Sequence, residues 1–251
     1  MKPFIMPSKE ISLLHEWIQA AKKIVFFGGA GVSTASNIPD FRSANGLYQD
    51  QSLNVETLLS HRYFINHTEA FYQFYKEKMV YLHATPNPVH QYLAQLENGG
   101  KNLSIVTQNI DGLHQRAGSK NVYELHGSIW RNYCMQCHQF YPLEIIVSSQ
   151  RVPLCACGGI IKPDVVLYEE SLNTEIMTQA IFAIEQADLL IVGGTSLVVY
   201  PAAGFLHYFK GNHLVLLNKT TTPYDHLADL IINLPIEQVF SSLQILGESN
   251  E

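Results

Sequence analysis

The sequence has little positive charge, few cysteines and no long apolar run. Its 251 residues include 16 lysines and arginines against 22 aspartates and glutamates, which gives a net charge of −6. That balance argues against broad nucleic-acid binding, which normally needs a basic face. No run approaches the roughly 20 apolar residues that a membrane-spanning helix requires. We therefore expect neither nucleic acid nor membrane among its partners.

Residues 8–23 form an amphipathic helical pattern with several charged side chains. This pattern lacks the uninterrupted apolar core of a secretion signal. The four cysteines, which are interpreted below as metal ligands, also suit a reducing compartment. We expect a cytoplasmic protein, and the sequence leaves its oligomeric state unknown.

Short apolar runs of strand length recur along the chain, several of them with β-branched residues. They lie at 24–27, 103–107, 122–125, 189–192, 214–217 and 230–232. Most are continuous rather than alternating, which is typical of strands covered on both faces. Helical patterns at 68–82, 89–97, 174–186 and 202–210 intervene. The alternation predicts an α/β fold with a doubly wound, Rossmann-like parallel sheet.

Two stretches interrupt this alternation, residues 37–87 and residues 131–162. We interpret both as insertions that build a smaller zinc-binding subdomain within a single catalytic domain, residues 1–251. The large part would then comprise residues 1–36, 88–130 and 163–251.

All four cysteines fall in the second insertion, as the pairs Cys134 with Cys137 and Cys155 with Cys157. Two close pairs at this separation are the sequence form of a tetrahedral zinc site. The alternatives are two disulfides or four unrelated core thiols, and the clustering favours zinc. A site of four thiolates keeps no open position for a substrate, so we expect the zinc to be structural.

Small residues come directly after two of the predicted strands, at 28–34 and again at 193–196. Such a loop either brings backbone N–H groups close to a phosphate or forms a tight turn between strand and helix. Residues 40–42 add an acid, an aromatic ring and an arginine. These side chains could cover a ligand, or Asp40 and Arg42 could pair to cap a turn.

Polar side chains come after three of the other predicted strands, the second, third and fifth, and they suggest a binding site. Gln108, Asn109 and Asp111 come after the second run, where burial without hydrogen-bond partners would be expensive. They suggest hydrogen bonding to a sugar or a carboxamide. His126 comes after the third run, and imidazole can accept a proton from a hydroxyl near neutral pH. Asn218 ends the fifth run, where its amide could reach a nucleoside.

Together these segments resemble the sirtuins, a family of NAD-dependent protein deacylases, over nearly the whole chain. The matching segments are GAGVS at 29–33, IPDFR at 38–42, TQNIDGLH at 107–114, HG at 126–127, the four cysteines, KPDVV at 162–166 and GTSL at 194–197. The ordered set is much more specific than any single segment. The chain resembles the short bacterial form, for which we expect no N- or C-terminal extension.

The resemblance implies that NAD lies between the large part and the zinc-bearing part, with an acyl-lysine entering opposite it. At the phosphates it implies contacts from Ala30, Thr34 and Ser196, with Arg42 nearby, and at the adenosine half it implies contacts from Thr195 and Asn218. At the nicotinamide half it implies Gln108 and Asn109 at the ribose, Ile110 and Asp111 at the carboxamide, and Phe41 over the anomeric carbon. Gly29, Gly194 and His126 are also implied to contact the cofactor. It further implies that His126 is the general base. For the substrate it implies contacts from Tyr72, Val165, Val166 and Tyr168, with residues 165–168 pairing with the peptide as an added strand.

The implied reaction transfers the acyl group of acyl-lysine to ADP-ribose, releasing nicotinamide and O-acetyl-ADP-ribose. Alternatives are mono-ADP-ribosyl transfer at the same NAD site and a non-catalytic NAD sensor. The presence of His126 and Gly127 favours deacylation.

Three positions depart from the family pattern. Asn37 stands where glycine is usual, but asparagine also tolerates a left-handed backbone. The pair Cys155-Ala-Cys157 is one residue tighter than the usual spacing. Sirtuins that prefer succinyl or malonyl groups carry a tyrosine and, three residues on, an arginine; here Tyr75 comes after Tyr72 at that spacing. An acyl carboxylate would then be buried unpaired, so we predict neutral acyl groups, chiefly acetyl, with Lys76 the adjacent cation.

Overall fold

The computed structural model describes residues 8–41, 46 and 54–248 of the chain. Its α-helices are α1 (Lys9–Ala20), α2 (Val55–Leu58), α3 (His61–Asn66), α4 (Thr68–Lys78), α5 (Pro88–Asn98), α6 (Leu113–Ala117), α7 (Leu143–Ser148), α8 (Thr174–Glu185) and α9 (Ile236–Glu248). Its strands are β1 (Lys23–Gly28), β2 (Asn102–Thr107), β3 (Val122–Glu124), β4 (Gly127–Cys134), β5 (Phe140–Tyr141), β6 (Ile161–Val165), β7 (Leu189–Gly193), β8 (His213–Leu217) and β9 (Leu230–Ile232).

The larger sheet has six strands in the order β3-β2-β1-β7-β8-β9, and every pairing in it is parallel. All six apolar runs identified in the sequence are strands of this sheet. The chain order reverses between β1 and β7, where open α/β folds bind their ligands. At that point Gly28 lies opposite both Thr107 and Gly193, so three strands end at the same edge.

Helices cover both faces of the sheet, as the continuous apolar runs predicted. Alternate residues of β1 enter different cores, because side chains of a strand point to opposite faces in turn. Phe26 packs in a cluster with Leu14 of α1 and Phe240 of α9. Phe27 packs in the opposite cluster with Ile184 of α8. The doubly wound α/β fold is therefore confirmed.

A second, antiparallel sheet has the order β5-β4-β6. It packs against a third core whose side chains come mostly from the two interrupting stretches. Those from the stretches are Val55, Leu59, Phe64, Phe71, Tyr72, Tyr75, Cys134, Leu143, Ile146, Cys155 and Ile161, and Ile129, Val165 and Leu167 from the flanking segments complete the core. Because β4 begins at Gly127 and β6 continues to Val165, this sheet extends past the expected limits at 130 and 163. The division of the chain at those residues stays a prediction.

Two helical segments differ from the sequence patterns. Residues 202–210 were expected to be helical, and the segment Ala202–Tyr208 is a 3₁₀ helix. Helix α9 was not predicted, yet it packs against both α1 and α5. Within the described part of the chain, none of the helices combines the length and apolar character needed to cross a bilayer.

Candidate functional site

The turns after β1 and β7 pack backbone against backbone at the edge of the sheet. The N–H of Gly31 donates to the carbonyl of Gly194 over 2.8 Å. A Cβ atom on Gly31 would lie 2.7 Å from the Gly194 Cα, and one on Gly29 would lie 2.7 Å from the Thr195 Cβ. The close approach therefore requires glycine at these positions. The first turn leads into two short 3₁₀ helices, Ala30–Val32 and Thr34–Ser36, rather than into an α-helix.

The residues expected to contact the pyrophosphate lie around these two turns. Ala30 and Thr34 are half-buried, and Ser196 is exposed. The Thr34 hydroxyl donates to the Gly31 carbonyl over 3.0 Å, so it helps to hold the first turn. Arg42 lies outside the described residues.

Thr195 and Asn218, expected at the adenosine half, are in direct contact. The Asn218 Oδ1 accepts from the Thr195 N–H over 3.1 Å, and the Gln108 amide donates to the Thr195 hydroxyl over 3.3 Å. Among the described residues, the buried Asn218 Nδ2 has no hydrogen-bond partner. This donor lies where the sequence predicts a nucleoside, and a buried donor normally has an acceptor.

A chain of hydrogen bonds joins the first turn to the polar segment after β2. The Asn109 amide donates to the Ser33 hydroxyl over 3.1 Å, and that hydroxyl donates to the Asp111 carboxylate over 2.6 Å. The second Asp111 oxygen accepts from the Leu113 N–H over 2.9 Å. Burial raises the pKa of Asp111, while the bonds from Ser33 and Leu113 act in the opposite direction. Sequence reasoning did not single out Ser33, because its partners lie some 76 residues away along the chain.

His126 lies directly after β3 and is oriented by one hydrogen bond. Its Nδ1 lies 2.9 Å from the Gln108 carbonyl oxygen. A carbonyl only accepts, so Nδ1 carries the proton and Nε2 of the neutral ring is unprotonated. Burial lowers the pKa of His126, and the Gln108 carbonyl acts in the opposite direction. The ring is therefore neutral at pH 7 and presents Nε2 as a base.

The segment expected to pair with a peptide continues from β6 beside His126. The Val166 N–H donates to the His126 carbonyl over 3.0 Å. The Leu167 N–H donates to the Glu170 carboxylate over 2.9 Å, and the Tyr168 N–H donates to the Leu59 carbonyl over 3.0 Å. A peptide lying along this segment would have to bind groups other than these three N–H donors.

The aromatic residues considered for acyl selection are buried in the third core. The Tyr72 hydroxyl donates to the Ile161 carbonyl, and Tyr75 is fully buried. Burial raises the pKa of both phenols, so neither is charged. The Lys76 ammonium, the adjacent cation, donates to the carbonyl and the hydroxyl of Ser149.

The loop after the first turn agrees with one expectation from the sequence. Asn37 adopts a left-handed backbone with φ of 63°, as its substitution for glycine predicted. Phe41 is half-buried and packs against the third core.

The four cysteine sulfurs form a compact cluster, all within 4.8 Å of one another. The Sγ atoms of Cys134 and Cys157 are 3.4 Å apart, and those of Cys137 and Cys155 are 3.5 Å apart. These distances exceed the roughly 2.05 Å of a disulfide bond, so the disulfide alternative is wrong. They approach the roughly 3.8 Å between ligands of a tetrahedral Zn²⁺ with sulfur at about 2.3 Å. The cluster therefore fits a structural zinc ion.

The tight Cys155-Ala-Cys157 pair closes on the metal site with the help of the next two residues, both glycines. Gly158 has φ of +87°, and a Cβ atom on Gly159 would lie 2.6 Å from the Cys134 sulfur. The hydroxyl of Tyr141 donates to the Cys155 sulfur over 3.0 Å, which orients that thiolate.

Comparison with known proteins agrees with this arrangement. Residues 29–201 match the Sir2 family. A Clostridium acetobutylicum protein named NAD-dependent protein deacetylase is 57% identical over 239 residues, covering 93% of this chain and 98% of the relative. A Sir2 structure with a deacetylated p53 peptide and 3'-O-acetyl ADP ribose has a TM-score of 0.88 and 38% identity, covering 95% of this chain and 98% of that one. A Sir2 structure with a p53 peptide and NAD+ has a TM-score of 0.86 and 38% identity, covering 96% of this chain and 100% of that one.

The matched region contains the two glycine turns, the segment 108–111, His126 and all four cysteines. Both the sequence and the fold support the same assignment, and the chain belongs to the Sir2 family.

Proposed function

We propose that this protein is an NAD-dependent protein-lysine deacetylase. It transfers the acyl group of acyl-lysine to ADP-ribose, and nicotinamide and O-acetyl-ADP-ribose are released. The observation that carries the proposal is His126, a neutral imidazole fixed by the Gln108 carbonyl with Nε2 unprotonated at the edge of the sheet. Support comes from the similar Sir2 structures, which hold an NAD or acetyl-ADP-ribose molecule together with a peptide.

In this proposal the NAD site runs along the edge where β1, β2, β7 and β8 end. The proposed contacts are Gly29, Ala30, Thr34, Gly194 and Ser196 at the pyrophosphate with Arg42 nearby, Thr195 and Asn218 at the adenosine half, Gln108 and Asn109 at the nicotinamide ribose, Ile110 and Asp111 at the carboxamide, and Phe41 over the anomeric carbon. Two observations support it. The buried Asn218 Nδ2 is without a partner among the described residues, and the approach of the two turns excludes side chains on Gly31 and Gly194.

When bound, NAD supplies an electrophilic ribose carbon and a good leaving group, nicotinamide. The acyl oxygen of the substrate would displace nicotinamide at that ribose carbon. His126 would then accept a proton from a ribose hydroxyl, so that this oxygen attacks the acyl carbon; lysine would leave as the free amine, and one water would be consumed overall. The bond from Nδ1 to Gln108 fixes the ring orientation and keeps Nε2 unprotonated. General-base assistance of this kind contributes about 10²–10⁴-fold.

The proposed substrate is a protein or peptide with a neutral acyl-lysine, chiefly acetyl-lysine. It would lie along residues 165–168, with Val165, Val166 and Tyr168 in contact and Tyr72 nearby. The buried neutral phenol of Tyr75 gives an acyl carboxylate no cationic partner, and Lys76 is directed to Ser149. In a panel of acylated peptides, acetyl-lysine should turn over faster than succinyl-lysine, and the reverse order would refute this preference.

Zinc would be held by Cys134, Cys137, Cys155 and Cys157 and would stabilise the loops of the smaller part. We propose that this part comprises residues 37–87 and 131–162, beside a large part of residues 1–36, 88–130 and 163–251. We also propose a cytoplasmic location, since zinc-ligating thiolates persist best in a reducing compartment. Cell fractionation with an antibody to the protein tests the location.

The test of the activity compares His126→Ala with His83→Ala, a control at an exposed histidine. His126→Ala should lower the rate of acetyl-peptide turnover by at least about 100-fold and still bind NAD. His83→Ala should keep the rate within about twofold.

The two alternative functions predict different products. An NAD sensor would bind NAD in both variants and deacetylate in neither the variants nor the native protein. A mono-ADP-ribosyltransferase would add the mass of ADP-ribose to an acceptor protein and leave the acetyl group on lysine. Either result would refute the proposed deacetylation.

A further inference from the structure

Strand β4 holds the turn after β2 through two hydrogen bonds. The Ile129 N–H donates to the Ile110 carbonyl over 3.0 Å. The indole N–H of Trp130 donates to the Asp111 carbonyl over 2.7 Å. Strand β4 belongs to the three-stranded sheet, whereas the turn extends from a strand of the six-stranded sheet. Consecutive carbonyls of the turn are therefore fixed by consecutive residues of the other sheet.

The indole ring also packs directly on the turn. Gly112 has φ of +70°, and a Cβ atom there would lie 2.8 Å from both Cδ1 and Nε1 of Trp130. The Arg116 guanidinium lies 5.9 Å from the ring centroid, within the range of a cation–π interaction. Its Nη1 donates to the Ala84 carbonyl over 2.7 Å, which fixes its position. The absence of a side chain at Gly112 thus makes room for the ring of Trp130.

The side chain and the backbone of Asp111 are held from different directions. Ser33 and Leu113, both at the edge of the large sheet, bind the carboxylate. Trp130 binds the backbone carbonyl of the same residue. Losing the indole bond would leave the carboxylate contacts in place but free the peptide unit between Asp111 and Gly112 to rotate.

We infer that Trp130 is a positioning residue for the nicotinamide carboxamide. It acts through the Ile110–Asp111 turn and thereby couples the smaller sheet to the nicotinamide end of the NAD site. This inference rests on the proposed function, in which Ile110 and Asp111 hold the carboxamide. Trp130 was not among the predicted site residues, and the inference gives it an effect on binding of the nicotinamide half of NAD but not of the ADP-ribose half.

The test uses Trp130→Phe, which keeps an aromatic ring and removes the N–H donor. The matched control is Trp17→Phe. Trp17 lies on α1 and stacks on His213 at the amino end of β8, which is the edge of the sheet opposite the proposed site. Binding of NAD, free nicotinamide and ADP-ribose is measured by calorimetry for each variant. Trp130→Phe should weaken NAD and nicotinamide binding by about 3- to 10-fold, the effect of one lost hydrogen bond. ADP-ribose has no carboxamide, so Trp130→Phe should bind it within about twofold of the native affinity. Trp17→Phe should bind all three ligands within about twofold of the native affinities.

A purely structural role for Trp130 predicts another pattern, equal weakening of NAD and ADP-ribose together with a lower melting temperature. That result, or no change for any ligand, overturns the inference. A double-mutant cycle with Gly112→Ala adds a second test. The new Cβ should impair NAD binding less in the Trp130→Ala background than in the native protein, because it clashes with the indole; additive effects would contradict the proposed contact.

These binding measurements need no turnover, so they separate the inference from the proposed activity. A native protein that binds NAD but leaves acetyl-lysine intact refutes deacetylation. The ratio of NAD to ADP-ribose affinities in Trp130→Phe then still decides the role of Trp130.

Discussion

A buried pair of histidines should make the fold sensitive to acid. His90 and His114 are buried, with ring centroids 4.7 Å apart. The His90 Nδ1 accepts a hydrogen bond from the Asn87 N–H over 3.2 Å, so it carries no proton. Within the described residues, the His90 Nε2 and both ring nitrogens of His114 lack hydrogen-bond partners. A proton added to either ring would therefore create a buried charge next to a second imidazole.

The size of the effect is set by the pKa of His90. Burial lowers this pKa from 6.5 to about 4. Above pH 6.5 both the folded and the unfolded states hold a neutral ring, and stability does not depend on this group. As pH falls from 6.5 towards 4, the unfolded state takes up a proton that the folded state refuses. His90 alone then lowers the free energy of unfolding by about 2 kcal/mol at pH 5 and about 3 kcal/mol at pH 4.

His114 should act in the same direction, because burial lowers its pKa as well. It lies on α6, directly after the turn that contains Asp111. Acid should therefore loosen the nicotinamide end of the proposed site together with the fold.

The assay is urea unfolding of the native protein and of His90→Gln between pH 7.5 and pH 4.5, with His83→Gln as an exposed control. The native protein should lose about 2 kcal/mol more than His90→Gln between pH 7 and pH 5. Any pH-independent loss in the variant cancels, since only the change with pH is compared. Parallel curves for the native protein and His90→Gln would show that burial of His90 does not set the acid sensitivity.

Three further predictions concern a glycine in the fold, the zinc ion and the pH dependence of the reaction. Gly127 has φ of +76°, and a Cβ atom there would overlap the Asp164 carbonyl oxygen, so Gly127→Ala should destabilise the protein by at least about 3 kcal/mol in urea unfolding. Gly118→Ala, with φ of +106° but no atom closer to the new Cβ than the Asn98 Nδ2 at 3.8 Å, should lose only about 1–2 kcal/mol, and equal losses would contradict the proposed clash. Zinc chelation should abolish activity and disorder the third core, measured by circular dichroism, and a metal-free protein that stays folded and fully active would contradict the structural role. The acidic limb of kcat/KM should lie below pH 6.5, because burial lowers the pKa of His126; a limb above pH 7 would exclude a neutral His126 as the base.

The six parallel strands were predictable because each is a continuous apolar run, and burial on both faces leaves that local signature. The zinc cluster was predictable because both cysteine pairs are close in sequence. Helix α9 was amphipathic at the sequence level but was not identified among the helical patterns.

Contacts between distant segments left no local pattern to find. Ser33 binds Asp111 across 78 positions in sequence, and Trp130 reaches a turn 19 positions earlier. The ladder between β4 and β6 likewise pairs residues that are far apart in sequence, such as Gly127 with Val165. Such contacts depend on the tertiary fold, which is why Ser33 and Trp130 were absent from the predicted site.

Transfer of an acetyl group from lysine to ADP-ribose can be tested directly on the pure protein. The protein is incubated with NAD and an acetyl-lysine peptide, and the products are analysed by mass spectrometry. We expect free lysine peptide, nicotinamide and O-acetyl-ADP-ribose in equal amounts, and their loss in His126→Ala. Acetyl-lysine that remains intact, or acetate released without O-acetyl-ADP-ribose and without need for NAD, would contradict the proposed deacetylation.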